Sequence, residues 1–235
     1  VLADAPPLVN PSPIMSAAAP AFTRAQLEAA PRSVLRAGRW ANAVVLKVRI
    51  GAQDWTVKDF GSRAWWVRNG LARWLLRREL RALQRLADLD GVPRAAFRVD
   101  AHAIAAHFVP GRTLDKAPAA QMTPEFFVAL EALFQQIHAR GLVHLDSRGS
   151  SNLLATPDGR PAVIDFQAAV DTRRLPRALR MRLEAIDLSG VYKNWQRRAP
   201  DTMDAARAAA YAQSTRWRRL WPARGYFGIS KDRHK

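Results

Sequence analysis

The stretch at residues 141–166 constrains this chain more than any other. It runs Gly-Leu-Val-His-Leu-Asp-Ser-Arg-Gly-Ser-Ser-Asn-Leu-Leu, then Ala-Thr-Pro-Asp-Gly-Arg-Pro, then Ala-Val-Ile-Asp-Phe. Two short apolar runs, residues 152–155 and 162–166, flank a Pro-Asp-Gly turn and read as a hairpin. The hairpin sets Asn152, at the start of one strand, near Asp165, at the end of the other. Asp146 lies just upstream. Two carboxylates and an amide oxygen converging on one spot suit Mg²⁺, a hard cation that takes oxygen ligands.

His144-x-Asp146, Asn152 and Asp165-Phe166 resemble the catalytic loop and metal-binding motif of protein-kinase-like phosphotransferases. Two features depart from that pattern. Five residues separate Asp146 from Asn152, one more than usual, and Gln167 replaces the glycine after Asp-Phe. Both departures resemble atypical bacterial kinases of the Rio-like and lipopolysaccharide-core (Kdo/heptose) kind. The resemblance implies ATP and Mg²⁺ as cofactors. It places Asn152 and Asp165 on the metal, makes Asp146 the group that orients the acceptor and takes its proton, and makes His144 a scaffold residue that supports the loop by hydrogen bonding.

Upstream, residues 33–37, 43–50 and 54–60 read as three strands, the second rich in β-branched residues and bounded by Gly51. The turn between the first two carries one glycine, Gly38. Backbone amides there, with Arg36 or Arg39, are the candidate phosphate contacts. Lys58 sits on an apolar strand and matches the lysine that holds the α/β-phosphates in the resembled family. A lysine there needs a carboxylate partner. Residues 71–87 form a helix with Leu76, Leu80, Leu83 and Ala87 at helical spacing, and Glu79 lies at the edge of that stripe. Trp65, Trp66 and Trp74 are expected to pack the small lobe, with nucleic acid or a membrane interface as alternatives. Residues 95–99 and 103–109 suggest two more strands. By resemblance His107 and Phe108 lie at the hinge where adenine binds.

Downstream, Thr123-Pro-Glu opens a helix: Thr caps, Pro takes the first position and Glu favours the positive end. Phe126, Leu130, Leu133 and Ile137 give it an apolar face. After Asp165 the segment is short and no Ala-Pro-Glu follows, which argues against an extended peptide substrate. Asp187 resembles the helix aspartate that anchors the catalytic-loop backbone; an exposed helix acid is the alternative. A final helix is expected over residues 201–220, with Trp217, Leu220 and Trp221 clustered at its end.

Composition adds the partners. The net charge of +17 gathers in blocks of +6, +6 and +5 at residues 63–85, 173–198 and 201–235. Such blocks suit an anionic partner: nucleotide, acidic glycolipid or anionic membrane, with nucleic acid behind these. There is no cysteine, which removes thiolate chemistry and disulfides. No apolar run approaches the length of a membrane span. These features lead to an expected cytoplasmic location, peripheral at the inner membrane. Met15 is an alternative start to Val1.

The expected architecture is α+β and two-lobed, protein-kinase-like. Residues 1–31 form a flexible arm. Residues 32–110 form a small antiparallel-sheet N-lobe with one main helix. Residues 111–235 form a mostly helical C-lobe with a basic tail. The expected activity is transfer of the ATP γ-phosphoryl group to a hydroxyl acceptor, non-peptidic in the favoured reading. An atypical serine/threonine protein kinase and a nucleotide-sensing pseudokinase are the alternatives.

Overall fold

A computed structural model describes residues 21–38 and 42–220, with backbone alone at residues 217–220. The described chain enters through Phe22 and a short helix, α1 (Arg24–Ala29). Thr23 and Gln26 form a capping box: the Thr23 hydroxyl accepts from the Gln26 amide, and Gln26 Oε1 accepts from the Thr23 amide at 2.8 Å. Two otherwise unsatisfied donors are thereby met. Phe22 and Leu27 are buried, and Phe22 meets Trp55 and Phe97 edge-on at 5.4 and 4.9 Å. Arg24 reaches both Asp59 and Asp100. The expected loose arm is therefore corrected from Phe22 onward, because two apolar anchors and a double ion pair fasten it to the sheet. Residues 1–20 lie outside the described residues.

The small lobe is a five-stranded antiparallel sheet. Its strands are β1 (Arg32–Arg36), β2 (Val44–Ile50), β3 (Gln53–Asp59), β4 (Phe97–Arg98) and β5 (Ala103–His107), in spatial order β1-β2-β3-β5-β4. Side chains alternate between faces along a strand. Trp55 and Val57 of β3 face α1, in a cluster with Phe97, Ala103 and Ala105. Lys58 must then point to the other face, where Ile104 is its cross-strand partner. Against that face lies α3 (Leu71–Arg85), preceded by the short α2 (Trp65–Asn69). Leu76 and Leu80 pack there with Phe60 and Ile104. Glu79 follows Leu76 by three residues, so it shares the buried face.

The three tryptophans do not pack the lobe. Trp65, Trp66 and Trp74 are all exposed, because the core-facing stripe of α3 is already filled by Ala72, Leu76, Leu80 and Leu83. Ala87 also falls outside the buried stripe; it is exposed and follows the end of α3.

In the large lobe, β6 (Arg112–Thr113) pairs with the hairpin β8 (Leu153–Ala155) and β9 (Pro161–Val163). β7 (Leu142–Val143) pairs with β10 (Val170–Asp171). The helices are α4 (Pro124–Ala139), α5 (Arg177–Arg198) and α6 (Ala205–Leu220). Thr123 caps α4 and Pro124 opens it, as the sequence predicts. Phe127 stacks on Trp195 at 5.2 Å, joining α4 to α5. Glu131 accepts from Tyr192 of α5 and Arg207 of α6, a polar tie across three helices. The last helix begins at Ala205, not residue 201, since residues Pro200–Thr202 form a separate 3-10 turn. The side chains of Trp217 and Leu220, and all of Trp221, lie outside the described residues.

Leu27→Ala should lower stability by about 2–5 kcal/mol, the range for emptying a buried leucine site. Urea unfolding measures it. A loss below about 0.5 kcal/mol, as for ordinary surface positions, would return α1 to the status of a dispensable arm.

Candidate active site

Lys58 is the centre of the cleft. Its Nζ donates to Glu79 Oε1 and Oε2 at 2.6 and 2.8 Å and to Asp165 Oδ1 at 2.6 Å. Burial works against the Lys58 ammonium, but the Asp165 and Glu79 carboxylates outweigh it and raise its pKa above the usual range. Burial likewise opposes ionisation of Asp165, yet Lys58 and, behind it, Arg36 hold that carboxyl below its usual range. Burial falls hardest on Glu79 and, with the neighbouring Asp165 charge, pushes its pKa up despite Lys58. The triad thus carries an ammonium, a firmly ionised Asp165 and a Glu79 held by its partners.

The segment after Asp165 is fastened to α3. Phe166 is fully buried and its amide donates to Glu79. Arg78, beside Glu79, donates to the carbonyls of Ala169 and Ala168, each at 2.6 Å. Arg85 pairs with Asp171 at 2.9 Å. Nothing in an arginine-rich run marks Arg78 out; its role emerges only when the segment folds against the helix.

The catalytic loop hangs from one buried carboxylate. Asp187 of α5 is wholly buried and accepts from the His144 amide at 2.6 Å and the Leu145 amide at 2.7 Å, with His138 Nε2 3.1 Å away. Of the two readings of Asp187, the anchor is the one observed. His144 completes the support. Its Nδ1 accepts from the Asp146 amide at 3.2 Å, so Nε2 carries the proton and donates to the Ile164 carbonyl at 3.1 Å. One imidazole therefore links the loop to the strand leading into Asp165. Leu145 and Asp165 both hold positive φ, 61° and 66°, a strained conformation that surrounding contacts must enforce.

Asn152 Nδ2 donates to Asp146 Oδ2 at 2.7 Å. That orientation turns the amide oxygen of Asn152 the other way, where it accepts only a long contact from Ser151 at 3.5 Å. The hairpin brings the two metal candidates into register, since the Ile164 amide donates to the Asn152 carbonyl at 2.9 Å. Among the described residues no group of three His, Cys, Asp or Glu side chains is set to hold a metal alone. One amide oxygen and one ionised carboxylate fit Mg²⁺, which binds through one or two protein oxygens and completes its shell with water and substrate phosphates. Asp146, first grouped with them, instead pairs with Asn152 and is exposed to the cleft.

The remaining candidates divide. Gly38 adopts φ +67°, and a Cβ there would overlap the Ala43 carbonyl, so the turn requires glycine. Arg63 braces this turn by donating to the carbonyls of Ala37 and Asn42. Arg36 reaches Asp165 at 3.4 Å; Arg39 lies outside the described residues. His107 pairs in register with Trp55 and packs its ring against it at 4.6 Å. Its side chain is thus on the face away from Lys58, a packed histidine at the end of β5. Burial, then Arg94, lowers its pKa. Phe108 lies beneath Lys47, 4.3 Å from its ring centre, and Lys47 shares the face of Lys58.

Sequence reasoning missed how α5 supports the loop. Ser147 Oγ donates to the Asp187 carbonyl at 2.9 Å, and Arg148 donates to Ser189 Oγ at 2.7 Å. A Cβ on Gly190 would overlap Ser147. The small pair Ser189-Gly190 inside a long helix was the available signal of close approach.

The lysine strand, the helix glutamate, the anchored His-x-Asp loop and the Asp-Phe segment define a protein-kinase-like fold. A family model described as the RIO domain matches residues 58–208, well over half of the chain. The chain belongs to the RIO domain family, whose members are atypical kinase-like, ATP-binding domains. The match contains Lys58, Glu79, Asp146, Asn152, Asp165 and Asp187, and leaves out β1, β2 and Gly38. No curated protein matches the chain.

Because Asp165 titrates lower in the folded than in the unfolded chain, its ionised form stabilises the fold above about pH 4, and that contribution fades as pH falls toward the folded value. Urea melts at stepped acidic pH should therefore show a steeper loss for wild type than for Asp165→Asn. Glu79, shifted the opposite way, is present in both. Parallel curves would remove Asp165 from the ionised triad.

Proposed function

We propose that the chain is an ATP-dependent kinase that transfers the γ-phosphoryl group to a hydroxyl of a non-peptidic acceptor, such as a sugar of a lipopolysaccharide core. The observation that carries phosphotransfer is Lys58, held between Glu79 and Asp165, together with Asp146 on the loop that Asp187 anchors. Bound Mg-ATP supplies the phosphoryl group and part of the charge neutralisation. Lys58 would take the α/β-phosphates, and Asn152 Oδ1 with Asp165 would hold Mg²⁺. Asp146, oriented through Oδ2 by Asn152, accepts the proton of the attacking hydroxyl. Positioning and electrostatic stabilisation dominate such catalysis.

The non-peptidic acceptor rests on the chain after Asp165. A 3-10 turn and the two-residue β10 lead within a few residues into α5, which leaves little scaffold for an extended peptide. Arg173, Arg174 and Arg177 follow at once, and guanidinium groups pair well with phosphate or carboxylate. An anionic glycolipid presented at a cytoplasmic membrane face satisfies both features. The second reading, a nucleotide sensor without transfer, draws on Asp165 being engaged by Lys58 and Arg36, contacts that a metal must displace.

Saturating Mg-ATP should raise the melting temperature, since a ligand at about 100 times its Kd adds about 2.7 kcal/mol. Lys58→Ala should shrink the shift, and Asp165→Ala should remove its dependence on Mg²⁺. Equal shifts in all three proteins would overturn the nucleotide site.

Asp146→Asn separates the two readings. The amide keeps the shape and loses the base, so the thermal shift persists while labelled-phosphate transfer to lipopolysaccharide core, sugar or peptide acceptors falls by about 100- to 10,000-fold. Transfer undiminished in this variant removes Asp146 from its role. Transfer absent from wild type with every acceptor favours the sensor, and efficient transfer to free peptide overturns the non-peptidic assignment.

A further inference from the structure

The small lobe has an outward face that the nucleotide site does not use. Trp65 and Trp66 open α2, Leu71 opens α3, and Trp74 follows within a turn; they are 71, 59, 47 and 55% exposed. Single exposed apolar residues are ordinary, whereas a cluster of large ones marks an interaction surface. Residues 63–85 also carry seven arginines and one acid, Glu79, and that acid is buried against Lys58.

Beside the patch, a groove of about 310 Å³ opens between α3 and the segment after Asp165. Trp74, Arg77, Arg78, Arg81 and Arg85 line it, with Asp171 as its one acidic residue. Arg85 gives Nη2 to Asp171, while its Nη1 is buried without a hydrogen-bond partner among the described residues. What the groove itself presents is a set of guanidinium groups, and these pair with an anion.

We propose that the α2–α3 face docks the protein on an anionic phospholipid bilayer, with the indoles at the headgroup boundary and a headgroup phosphate in the arginine groove. Tryptophan and leucine beside arginine is the composition of a surface that lies in a charged bilayer interface. A second copy of the chain would set like charge against like charge. A single-stranded nucleic acid stacks its bases on indole faces, and at Trp74, the indole that lines the groove, the Arg78 guanidinium occupies one face at 5.1 Å, so nucleic acid is kept as an outcome of the test. Docking bears on the cleft through α3 itself: the helix that meets the bilayer outside carries Glu79 inside.

The test is sedimentation of the full chain with phosphatidylglycerol–phosphatidylcholine vesicles and with phosphatidylcholine alone, at roughly 0.05 M and 0.5 M salt. Nucleotide is absent, so the result stands apart from phosphotransfer. Anionic vesicles should bind the chain, and high salt should weaken binding. The triple variant Trp65→Ala/Trp66→Ala/Trp74→Ala and the double variant Arg77→Glu/Arg81→Glu should each weaken it about tenfold or more. Their melting temperatures should stay close to wild type; if the charge reversal fails to fold, Arg77→Gln/Arg81→Gln takes its place. No preference for anionic vesicles overturns the proposal, as does undiminished binding in both variants. Single-stranded RNA bound more tightly than the vesicles, through these same residues, replaces the bilayer with nucleic acid and overturns it too.

Discussion

One ammonium joins three parts of the chain that the sequence sets far apart. Lys58 comes from β3, Glu79 from α3 and Asp165 from the turn after β9, and Nζ lies within 2.8 Å of carboxylate oxygens from both acids. A buried ion pair adds little net stability, because desolvation offsets the attraction, but stranding one partner costs about 3–5 kcal/mol. Its contribution is therefore position. The sheet register can place Lys58 on the inner face, and α3 can turn Glu79 inward, only if each arrangement answers the other. Arg78 extends the constraint by holding the carbonyls of Ala168 and Ala169, so the segment that presents Asp165 cannot drift from α3 without leaving donors unpaired.

The same logic recurs in the large lobe with Asp187 as its centre. Two backbone amides and an imidazole nitrogen converge on this buried carboxylate. Together with His144 they impose the positive φ of Leu145 just before Asp146. Between Asp146 and Asn152, Ser147 and Arg148 lie against Ser189 and Gly190 of α5. The chain then closes through a 3-10 turn at Ser150–Asn152. Asn152 then returns to Asp146, with Nδ2 donating to Oδ2 at 2.7 Å.

Much of this was legible in the sequence wherever a short-range pattern carries a long-range consequence. Strand alternation around Lys58, helical spacing around Glu79, the Thr123-Pro124 cap and the Pro-Asp-Gly hairpin turn all fix local geometry through nearest neighbours. The misreadings arose where tertiary contacts decide. Phe22 and Leu27 sit in a proline- and alanine-rich region, and only the sheet they cover reveals them as core. Trp65, Trp66 and Trp74 were expected inside on hydrophobicity alone. Smaller residues already fill the inner stripe of α3, and Arg78 covers the Trp74 ring from without. Arg78 was invisible for a related reason, since it acts on backbone about ninety residues away in sequence, whereas Gly190 left a signal in the small pair Ser189-Gly190.

The two faces of α3 obey opposite rules, and this gives the helix its place in the molecule. On the inner face an acid is tolerated in burial because every oxygen of Glu79 has a donor: Lys58 serves both, and the Phe166 amide adds to them. On the outer face apolar rings remain in solvent and arginines exceed their acidic partners. An ordinary amphipathic helix carries apolar residues inward and charges outward, as α3 does with Leu76, Leu80 and Leu83 and its arginines; the buried acid and the exposed Trp74 ring are its two exceptions. The inner exception is explained by the cleft, whose chemistry needs an ammonium at a defined point. The outer exception has the same form on the proposed reading, in which a second, anionic body completes the exposed rings and the arginine groove. One helix thus carries both the acid that meets Lys58 and the Trp74 ring and arginines of the outer face.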